Sequence, residues 1–407
     1  MRRFLSVLLL SLLVRAFAQT AQPPALPDLS AAAGLGADLF ANSGAVGMVV
    51  VVVRDDQVLF HGYGETAPNS GMAPSTDSVV RLCSLTKIFT TDLLTKLVKQ
   101  KIVRLDDPLQ LYAPKRGIMP PPDNLITLGE LATHTSGLPR ELGARPRATP
   151  PFAYPDFTAR WQWLPRQQLA APPGTAALYS NIGYDLLSDA LESAAHKSYA
   201  ALLAEQTLNP LGMWQTTYYP NPGQCERLLR AAHDKAACAV TEATEGSAGL
   251  YSTPADMANW LKYLVGKGGP AFPAQDSAAQ AVYLDPARLI KQAGLDHAGT
   301  PTGIGLGWMH LLPVGDPSHI IEKTGGGAGF SSYIAMIPAR HTAIFFAFAE
   351  GSGWKQNVFK EANNILLNLA ALPPLPEEPE KHLSRTRTKP RPRRRRHPAQ
   401  AAIAQAS

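Results

Sequence analysis

The sequence predicts a mixed α/β fold of the α+β type, in which helices flank an antiparallel sheet and a mainly helical region is inserted. Strand-like runs lie near both ends of the 407-residue chain, while helical periodicity and proline-rich connections dominate its middle. Apolar residues make up 45% of the chain and charged residues 17%, which is typical of a globular protein with a substantial core.

Four segments are predicted to form the sheet, two before the helical region and two after it. Ala45–Val53 is a β-branched apolar run typical of a buried strand, and Gln57–Tyr63 returns from it as a hairpin partner. Ser331–Pro338 and His341–Ala349 form a second pair of strands. The sheet is therefore built from the two ends of the chain.

We place the helical insertion at about residues 85–265, between sheet regions at 40–65 and 300–350. Helical periodicity is clearest in three segments: Asn181–Ala195, Tyr199–Leu208 and Pro254–Val265.

Both chain ends differ in composition from the domain between them, which we place at residues 30–372. Residues 1–18 have the basic start, short apolar stretch and Ala16-Phe17-Ala18 cleavage pattern of a secretory signal peptide, with an uncleaved anchor as the alternative. Residues 19–29 form an extended lead-in, and 373–407 form a disordered Pro/Arg-rich basic tail. The sequence thus predicts an exported, periplasmic protein, whose tail either improves solubility or tethers it peripherally to an anionic envelope surface.

The net charge of +6 arises from these ends. Three basic residues lie in the first fifteen positions, and nine lie between Lys381 and Arg396, after three acids. The rest of the chain has 26 basic and 29 acidic residues, so no nucleic-acid partner is expected. The three cysteines and ten histidines show no metal-ligand spacing, and we predict neither a metal nor another cofactor.

The first candidate for chemistry is a serine three residues before a lysine, Ser84 and Lys87. The apolar pattern that follows predicts a helix with Ser84 in its first turn and Lys87 on the same face. Backbone N–H groups at such a helix start can stabilise the negative charge that develops during acyl transfer. Because many helices carry this pair without catalysing anything, it gains meaning only from partners elsewhere in the chain.

The second candidate is Tyr179 with Asn181, which follow a turn at Pro172-Pro173-Gly174. Asn181 could cap the next helix, and Tyr179 could be an ordinary buried tyrosine. In the catalytic interpretation Tyr179 is a general base. A phenol titrates near about 10, so it needs positive charge nearby, such as Lys87 and a second lysine.

The third candidate is Lys323-Thr324-Gly325 and the glycine-rich stretch that begins at Gly326. Lys323 and Thr324 can bind a carboxylate, and Gly326 can offer a backbone N–H to an oxyanion hole. A strand here could also pair with a peptide-like substrate. Taken singly, a plain glycine-rich turn is the simpler interpretation.

Together and in this order, the three motifs resemble those of the penicillin-recognising serine hydrolases. The Tyr-x-Asn form points to the class C β-lactamase-like branch. Three longer stretches, His134–Glu141, Tyr251–Met257 and Glu322–Phe330, look like those of periplasmic penicillin-binding D-alanyl-D-alanine carboxypeptidases/endopeptidases of that branch. The resemblance covers roughly residues 30–372. The basic tail has no counterpart, and Cys83 stands where these proteins commonly have a small residue.

The resemblance implies a β-lactamase/transpeptidase-like fold and two-step acyl transfer. Ser84 would attack the carbonyl between two D-alanines of a peptidoglycan peptide, and β-lactams would be covalent inhibitors. Lys87 and Tyr179 would move protons, with the identity of the first proton acceptor left open. Asn181 would orient Lys87 and the substrate amide.

The same resemblance assigns the binding groups. The backbone N–H groups of Ser84 and Gly326 would form the oxyanion hole. The Lys323-Thr324-Gly325 stretch would receive the terminal carboxylate, and Glu141 would line the cleft by analogy alone. Weak β-lactamase activity is compatible with this set.

A disulfide between Cys225 and Cys238 is expected because the two are close in sequence, in a chain bound for an oxidising compartment. The related enzymes have cysteines at matching places. Two free buried thiols are the alternative.

Three other functions share part of this pattern. A class C β-lactamase would share every motif, and would differ in how fast it hydrolyses the penicilloyl-enzyme. A family VIII-type esterase commonly lacks the Lys-Thr-Gly, which is intact here. A non-catalytic β-lactam or muropeptide sensor would not need the complete set of Ser84, Lys87, Tyr179 and Lys323.

Overall fold

A computed structural model describes residues 26–114, 125–144, 146, 149–233, 236–267, 275–295, 298–355 and 358–375. The predicted signal peptide and nearly all of the predicted basic tail lie outside these ranges. The chain divides into a unit of residues Met1–Pro374 and a second unit, Leu375–Ser407, of which only Leu375 is described.

In the described residues, the middle of the chain is mainly helical, and the strands within it are only two residues long. The helices are α1 (Ala31–Ser43), α2 (Thr86–Lys99), α3 (Leu128–Ala132), α4 (Phe157–Trp163), α5 (Asn181–Ala195), α6 (Tyr199–Leu203), α7 (Pro222–Glu226), α8 (Pro254–Leu264) and α9 (Val358–Leu369). The strands are β1 (Ala45–Arg54), β2 (Gln57–Gly64), β3 (Val80–Arg81), β4 (Ala177–Leu178), β5 (Tyr251–Ser252), β6 (Gln292–Ala293), β7 (Pro301–Ile304), β8 (Met309–Leu311), β9 (Ile320–Gly327), β10 (Phe330–Ile337) and β11 (Thr342–Glu350).

Seven strands form one antiparallel sheet in the order β2-β1-β11-β10-β9-β8-β7. The N-terminal hairpin therefore pairs with the last strand of the chain, and Val50 lies opposite Phe346. This confirms the predicted sheet built from both chain ends with a helical region inserted between them.

Helices cover both faces of this sheet. Alternate residues point to opposite faces of a strand, so Ile334 packs in the large core with α2, α5 and α8, whereas its neighbour Tyr333 stacks on Phe359 of α9. The Tyr333 hydroxyl also lies 2.5 Å from Asn363 Oδ1. Both faces are buried, which explains why β1 and β11 are apolar at nearly every position rather than at alternate ones.

Two predicted helix boundaries are corrected by the structure. The segment Tyr199–Leu208 leaves the α-helix after Leu203 and continues as a π-helical turn, Ala204–Leu208. The helix at Asn181 is capped not by Asn181 but by Ser180, whose hydroxyl accepts a hydrogen bond from Gly183 N at 2.9 Å. This leaves the Asn181 amide available for other contacts.

Within the described residues, no helix is long and apolar enough to cross a membrane.

Candidate active site

Ser84 lies in a 3-10 turn, Cys83–Leu85, immediately before α2, and not in the first turn of the helix itself. Lys87 is the second residue of α2, and its Nζ lies 3.4 Å from Ser84 Oγ. Ser84 is 8% exposed and lines a cavity. The serine therefore presents its hydroxyl to a cavity, beside a buried amine.

The Lys87 amine is completely buried and makes two further short contacts. Its Nζ donates to Asn181 Oδ1 at 2.7 Å and to the carbonyl of Ser247 at 2.8 Å. Burial lowers the pKa of Lys87, an effect that the Tyr179 hydroxyl opposes and the Lys323 charge reinforces. A neutral amine has two hydrogens, and the two carbonyl oxygens accept both. The remaining lone pair of Nζ would then be directed to the Ser84 hydroxyl.

Asn181 links Lys87 to the rim of the site. Its Oδ1 faces Lys87, and its Nδ2 donates to Glu141 Oε1 at 2.5 Å. The carboxylate of the exposed Glu141 can only accept a hydrogen bond, and the Lys87 amine donates one. These two partners therefore fix which end of the Asn181 amide faces each of them. The backbone N–H of Asn181 donates to Arg140 O at 2.9 Å, which ties the start of α5 to the same rim loop.

Tyr179 is 6% exposed, and its ring lies beside two lysines and an arginine. Lys87 Nζ is 4.8 Å from the ring centroid, Lys323 Nζ is 5.2 Å away, and the Arg140 guanidinium carbon is 4.7 Å away. The second lysine expected from the sequence is therefore present, and an arginine joins it. Positive charge on several sides is the electrostatic condition under which a phenol can lose its proton.

His134 packs against Tyr179 in the core of the site. Its ring stacks on that of Tyr179 with centroids 4.3 Å apart, and its Nδ1 accepts from Ser180 N at 3.1 Å. Burial, and then the nearby cations, lower the pKa of His134 well below its usual value. The imidazole is therefore neutral at ordinary pH, and its contacts support the Tyr179 ring and the Ser180 backbone.

Strand β9 carries the Lys-Thr-Gly motif along the other side of the site. Lys323 is buried, Thr324 is half-buried, and Gly325 packs directly on the backbone before Ser84. A Cβ on Gly325 would lie 2.7 Å from Leu82 O and 3.1 Å from Ser84 N. This close approach explains the glycine and brings the next residue, Gly326, to the cavity that Ser84 lines.

The cavity has a volume of about 460 Å³. Of the predicted site residues, Ser84, Glu141, Asn181 and Gly326 line it. The other predicted site residues do not line it: Lys87, Tyr179, Lys323, Thr324 and Gly325. Tyr179 and Lys323 nevertheless lie close enough to Lys87 to affect its charge.

Three contributors to the site were not assigned a role from the sequence. Ser247 acts through a backbone carbonyl, which leaves no side-chain signal in a sequence. Asp185 lies one helical turn after Asn181, a spacing that could have revealed it. Arg140 precedes the predicted cleft residue Glu141, and its place over the Tyr179 ring depends on tertiary structure.

The cysteines divide into a bonded pair and a buried thiol. Cys225 and Cys238 form the expected disulfide. Cys83, next to Ser84, is fully buried, and its Sγ lies 3.6 Å from Gly327 O. Burial raises the pKa of Cys83 to about 12, so this thiol stays protonated at neutral pH. No cluster of three or more potential metal ligands occurs in the described part of the chain.

The fold and the site together define the class. The chain belongs to the β-lactamase family, whose model, described as Beta-lactamase, matches residues 32–368. This confirms the predicted family of serine hydrolases.

Among curated proteins, the chain is similar to the D-alanyl-D-alanine-carboxypeptidase/endopeptidase AmpH of Escherichia coli (strain K12). The two are 40% identical over 339 residues, which cover 83% of this chain and 88% of AmpH. Penicillin-binding protein 4* of Bacillus subtilis (strain 168) is 26% identical over 351 residues, or 79% of this chain and 72% of that protein.

Among solved structures, a β-lactamase/D-alanine carboxypeptidase from Yersinia pestis, complexed with citrate, matches with a TM-score of 0.79 at 39% identity. The match covers 84% of this chain and 99% of that one. A class C β-lactamase matches with a TM-score of 0.67 at 19% identity over 84% of this chain and 95% of that one, which is a likeness of fold alone.

Proposed function

We propose that this protein is a penicillin-binding serine D-alanyl-D-alanine carboxypeptidase/endopeptidase that acts on peptidoglycan peptides through an acyl-enzyme on Ser84. The observation that carries the proposal is the set of contacts around Lys87, which directs a buried amine to the Ser84 hydroxyl. The 40% identity to a protein named for this activity supports the choice of substrate.

Acylation begins when Ser84 Oγ attacks the carbonyl carbon of the bond between two D-alanines and gives its proton to Lys87 Nζ. The geometry supports Lys87 as first acceptor, because Asn181 Oδ1 and Ser247 O accept its two hydrogens. Burial supports the same role by lowering the pKa of Lys87. The resulting oxyanion accepts hydrogen bonds from the backbone N–H groups of Ser84 and Gly326.

Collapse of this intermediate breaks the carbon–nitrogen bond. The Tyr179 hydroxyl donates its proton to the leaving amine, and the proton on Lys87 passes to the Tyr179 oxygen. Lys323 and Arg140, which flank Tyr179, supply positive charge for the carboxylate of the departing D-alanine. Water then attacks the ester and gives a proton to Tyr179, whose own proton passes to the neutral Lys87. As the ester bond breaks, Lys87 returns this proton to Ser84 Oγ.

The intact Lys323-Thr324-Gly325 favours a substrate with a carboxylate over a simple ester. Endopeptidase action would use the same groups on cross-bridges whose leaving amino acid also carries a free carboxylate beside its amine. A class C β-lactamase has the same fold and differs from a carboxypeptidase in how fast it hydrolyses its acyl-enzyme.

Purified muropeptides and nitrocefin distinguish these activities. Release of D-alanine with slow nitrocefin turnover is the expected result. Fast nitrocefin turnover without release of D-alanine would assign the protein as a β-lactamase instead.

We further propose a periplasmic location, which cell fractionation with a cytoplasmic marker enzyme tests.

A further inference from the structure

The strand that leads to Ser84 is held by the chain that the Cys225–Cys238 disulfide closes. We refer to residues 225–238 as the disulfide loop. Val79, just before β3, donates its backbone N–H to Arg227 O and accepts a hydrogen bond from Leu229 N, both at 2.9 Å. Both partners follow soon after the first cysteine. The start of the disulfide loop is therefore bonded to the strand that ends three residues before Ser84.

The end of the disulfide loop is bonded to Arg81, the last residue of the same strand. Arg81 is buried, and its Nη2 donates to Ala236 O at 3.0 Å and to Ala237 O at 2.9 Å. These are the two residues before the second cysteine. Arg81 Nη1 donates to the Tyr251 hydroxyl at 2.7 Å, and that hydroxyl donates to Ala239 O at 3.0 Å. One side chain thus ties the backbone on both sides of the second cysteine to β3.

The buried charge of Arg81 depends on these loop carbonyls. Within the described ranges, no carboxylate forms an ion pair with Arg81, and its Nε has no hydrogen-bond partner. The guanidinium carbon lies 5.3 Å from the ring centroid of Phe152, 4.8 Å from that of Tyr251 and 6.0 Å from that of Phe330. Ring faces and neutral acceptors are therefore its contacts here. A buried charged donor that loses its acceptors is costly, so movement of the loop carbonyls should displace Arg81.

A displacement of Arg81 would reach Ser84 through the backbone. The next residue, Leu82, accepts a hydrogen bond from Ser332 Oγ at 2.7 Å through its carbonyl, and Gly325 packs against that carbonyl and against Ser84 N. Ser84 N is one of the two proposed oxyanion donors, and such donors act only while they stay within hydrogen-bond range of the developing charge. A small shift of this strand should therefore slow acylation without unfolding the protein.

We propose that Arg81 is a positioning residue that couples the Cys225–Cys238 disulfide to Ser84, so that reduction of the disulfide by a dithiol slows acylation. The inference rests on the proposed function, in which Ser84 is acylated. In the reduction, the dithiol gives up two electrons and two protons and becomes a disulfide, and the two cysteines become thiols. Neither of them is fully buried, in contrast to Cys83. Once the cross-link is broken, only non-covalent contacts keep the loop carbonyls on Arg81.

The first test follows labelling of full-length wild-type protein by a fluorescent penicillin, with and without dithiothreitol. Alkylation of quenched samples, followed by peptide mapping, verifies that both cysteines are reduced. The kinetics separate the binding constant of the penicillin, the acylation rate constant and the fraction of protein labelled. Because a misplacement of about 1 Å at an active site can cost about 100-fold, we expect the looser tether to lower the acylation rate constant about tenfold. The binding constant and the labelled fraction should not change.

Equal acylation rate constants in the oxidised and reduced protein would overturn the coupling. A smaller labelled fraction at an unchanged rate would also overturn it, because reduction would then merely unfold part of the protein.

The role of Arg81 itself is tested by a cycle of variants. Arg81→Met and the double variant Cys225→Ser/Cys238→Ser should each acylate about tenfold more slowly than wild type. Neither should respond to dithiothreitol. The triple variant should be within about twofold of the slower of the two, because both changes remove the same contact. Losses that multiply would show that the disulfide acts without Arg81. Arg288→Met, at an exposed position, should keep the wild-type rate and its response to the dithiol.

A second measurement needs neither a variant nor activity, and it applies if Arg81→Met does not fold. Hydrogen exchange of the wild-type protein is followed by mass spectrometry in the oxidised and reduced states. The peptide that covers residues 79–84 should exchange faster after reduction, while β1 should not change. Unchanged exchange in residues 79–84, or an equal increase in β1, would overturn the coupling. If Ser84 takes no penicillin in either state but exchange responds as expected, the link from the disulfide to this strand stands and the proposed function fails.

Discussion

The buried carboxyl of Asp185 should make the stability of the protein depend on pH in a defined direction. Its pKa is raised from 3.8 to about 7, mainly by burial and partly by Asp189, while Arg160, Ser247 and Lys87 oppose the rise. Because the folded-state pKa is the higher one, the contribution of this group to stability is complete at low pH and is lost as pH rises through 7. Asparagine at this position does not titrate.

The size of the effect follows from the interval between the two pKa values. Between pH 5 and about pH 7 the folded protein retains a proton that the unfolded chain has released. Each pH unit over which the two states differ by one bound proton changes the free energy of unfolding by about 1.4 kcal/mol. Relative to Asp185→Asn, wild type should therefore lose about 3 kcal/mol of unfolding free energy between pH 5 and pH 8.

Urea unfolding followed by tryptophan fluorescence measures the difference. The unfolding free energies of wild type, Asp185→Asn and the exposed control Asp56→Asn are determined at both pH values. The advantage of Asp185→Asn over wild type should be larger at pH 8, while the control difference should stay constant. A difference between Asp185→Asn and wild type that is equal at the two pH values, or larger at pH 5, would refute the raised pKa.

Three further predictions concern other parts of the chain. Gly325→Ala should slow acylation by penicillin about 100-fold or more, because its Cβ would lie 2.3 Å from Ser332 Oγ and would displace backbone beside the nucleophile. Gly34→Ala, with nothing within 4 Å, should leave labelling unchanged, and equal labelling of the two variants would contradict this account. Replacing both Cys225 and Cys238 by serine should lower the unfolding free energy by about 3 kcal/mol in urea, and a loss below about 1 kcal/mol would argue against the cross-link. Deleting residues 373–407 should reduce envelope retention on fractionation without affecting penicillin labelling; unchanged retention would leave the tail without a tethering role.

The candidate site residues could be named from the sequence because three spaced motifs supplied them. Ser84 and Lys87 are three residues apart, so a helical turn alone brings them close together. The fold then brings Asn181 Oδ1 to within 2.7 Å of Lys87 Nζ. The strands were recognisable because both faces of the sheet are buried, which gives long apolar runs in β1 and β11.

What the sequence did not reveal depends on backbone and tertiary geometry. The carbonyl of Ser247 has no side-chain signature, although it accepts a hydrogen bond from Lys87. Ser180 and Asn181 are both common helix caps, and only the hydrogen bond from Gly183 shows that Ser180 has this role. Arg140 reaches Tyr179 from a rim loop, which no periodicity predicts.

In the proposed mechanism Ser84 forms the acyl-enzyme, and Lys87 accepts the proton of the Ser84 hydroxyl. Mass spectrometry of the benzylpenicillin-treated protein, followed by peptide mapping, tests it most directly. We expect one penicilloyl group per chain on the peptide that contains Ser84, its absence in Ser84→Ala, and much slower formation in Lys87→Met. An adduct on another residue, or labelling that persists in Ser84→Ala, would contradict the assignment of the nucleophile, and wild-type labelling rates in Lys87→Met would contradict that of the base.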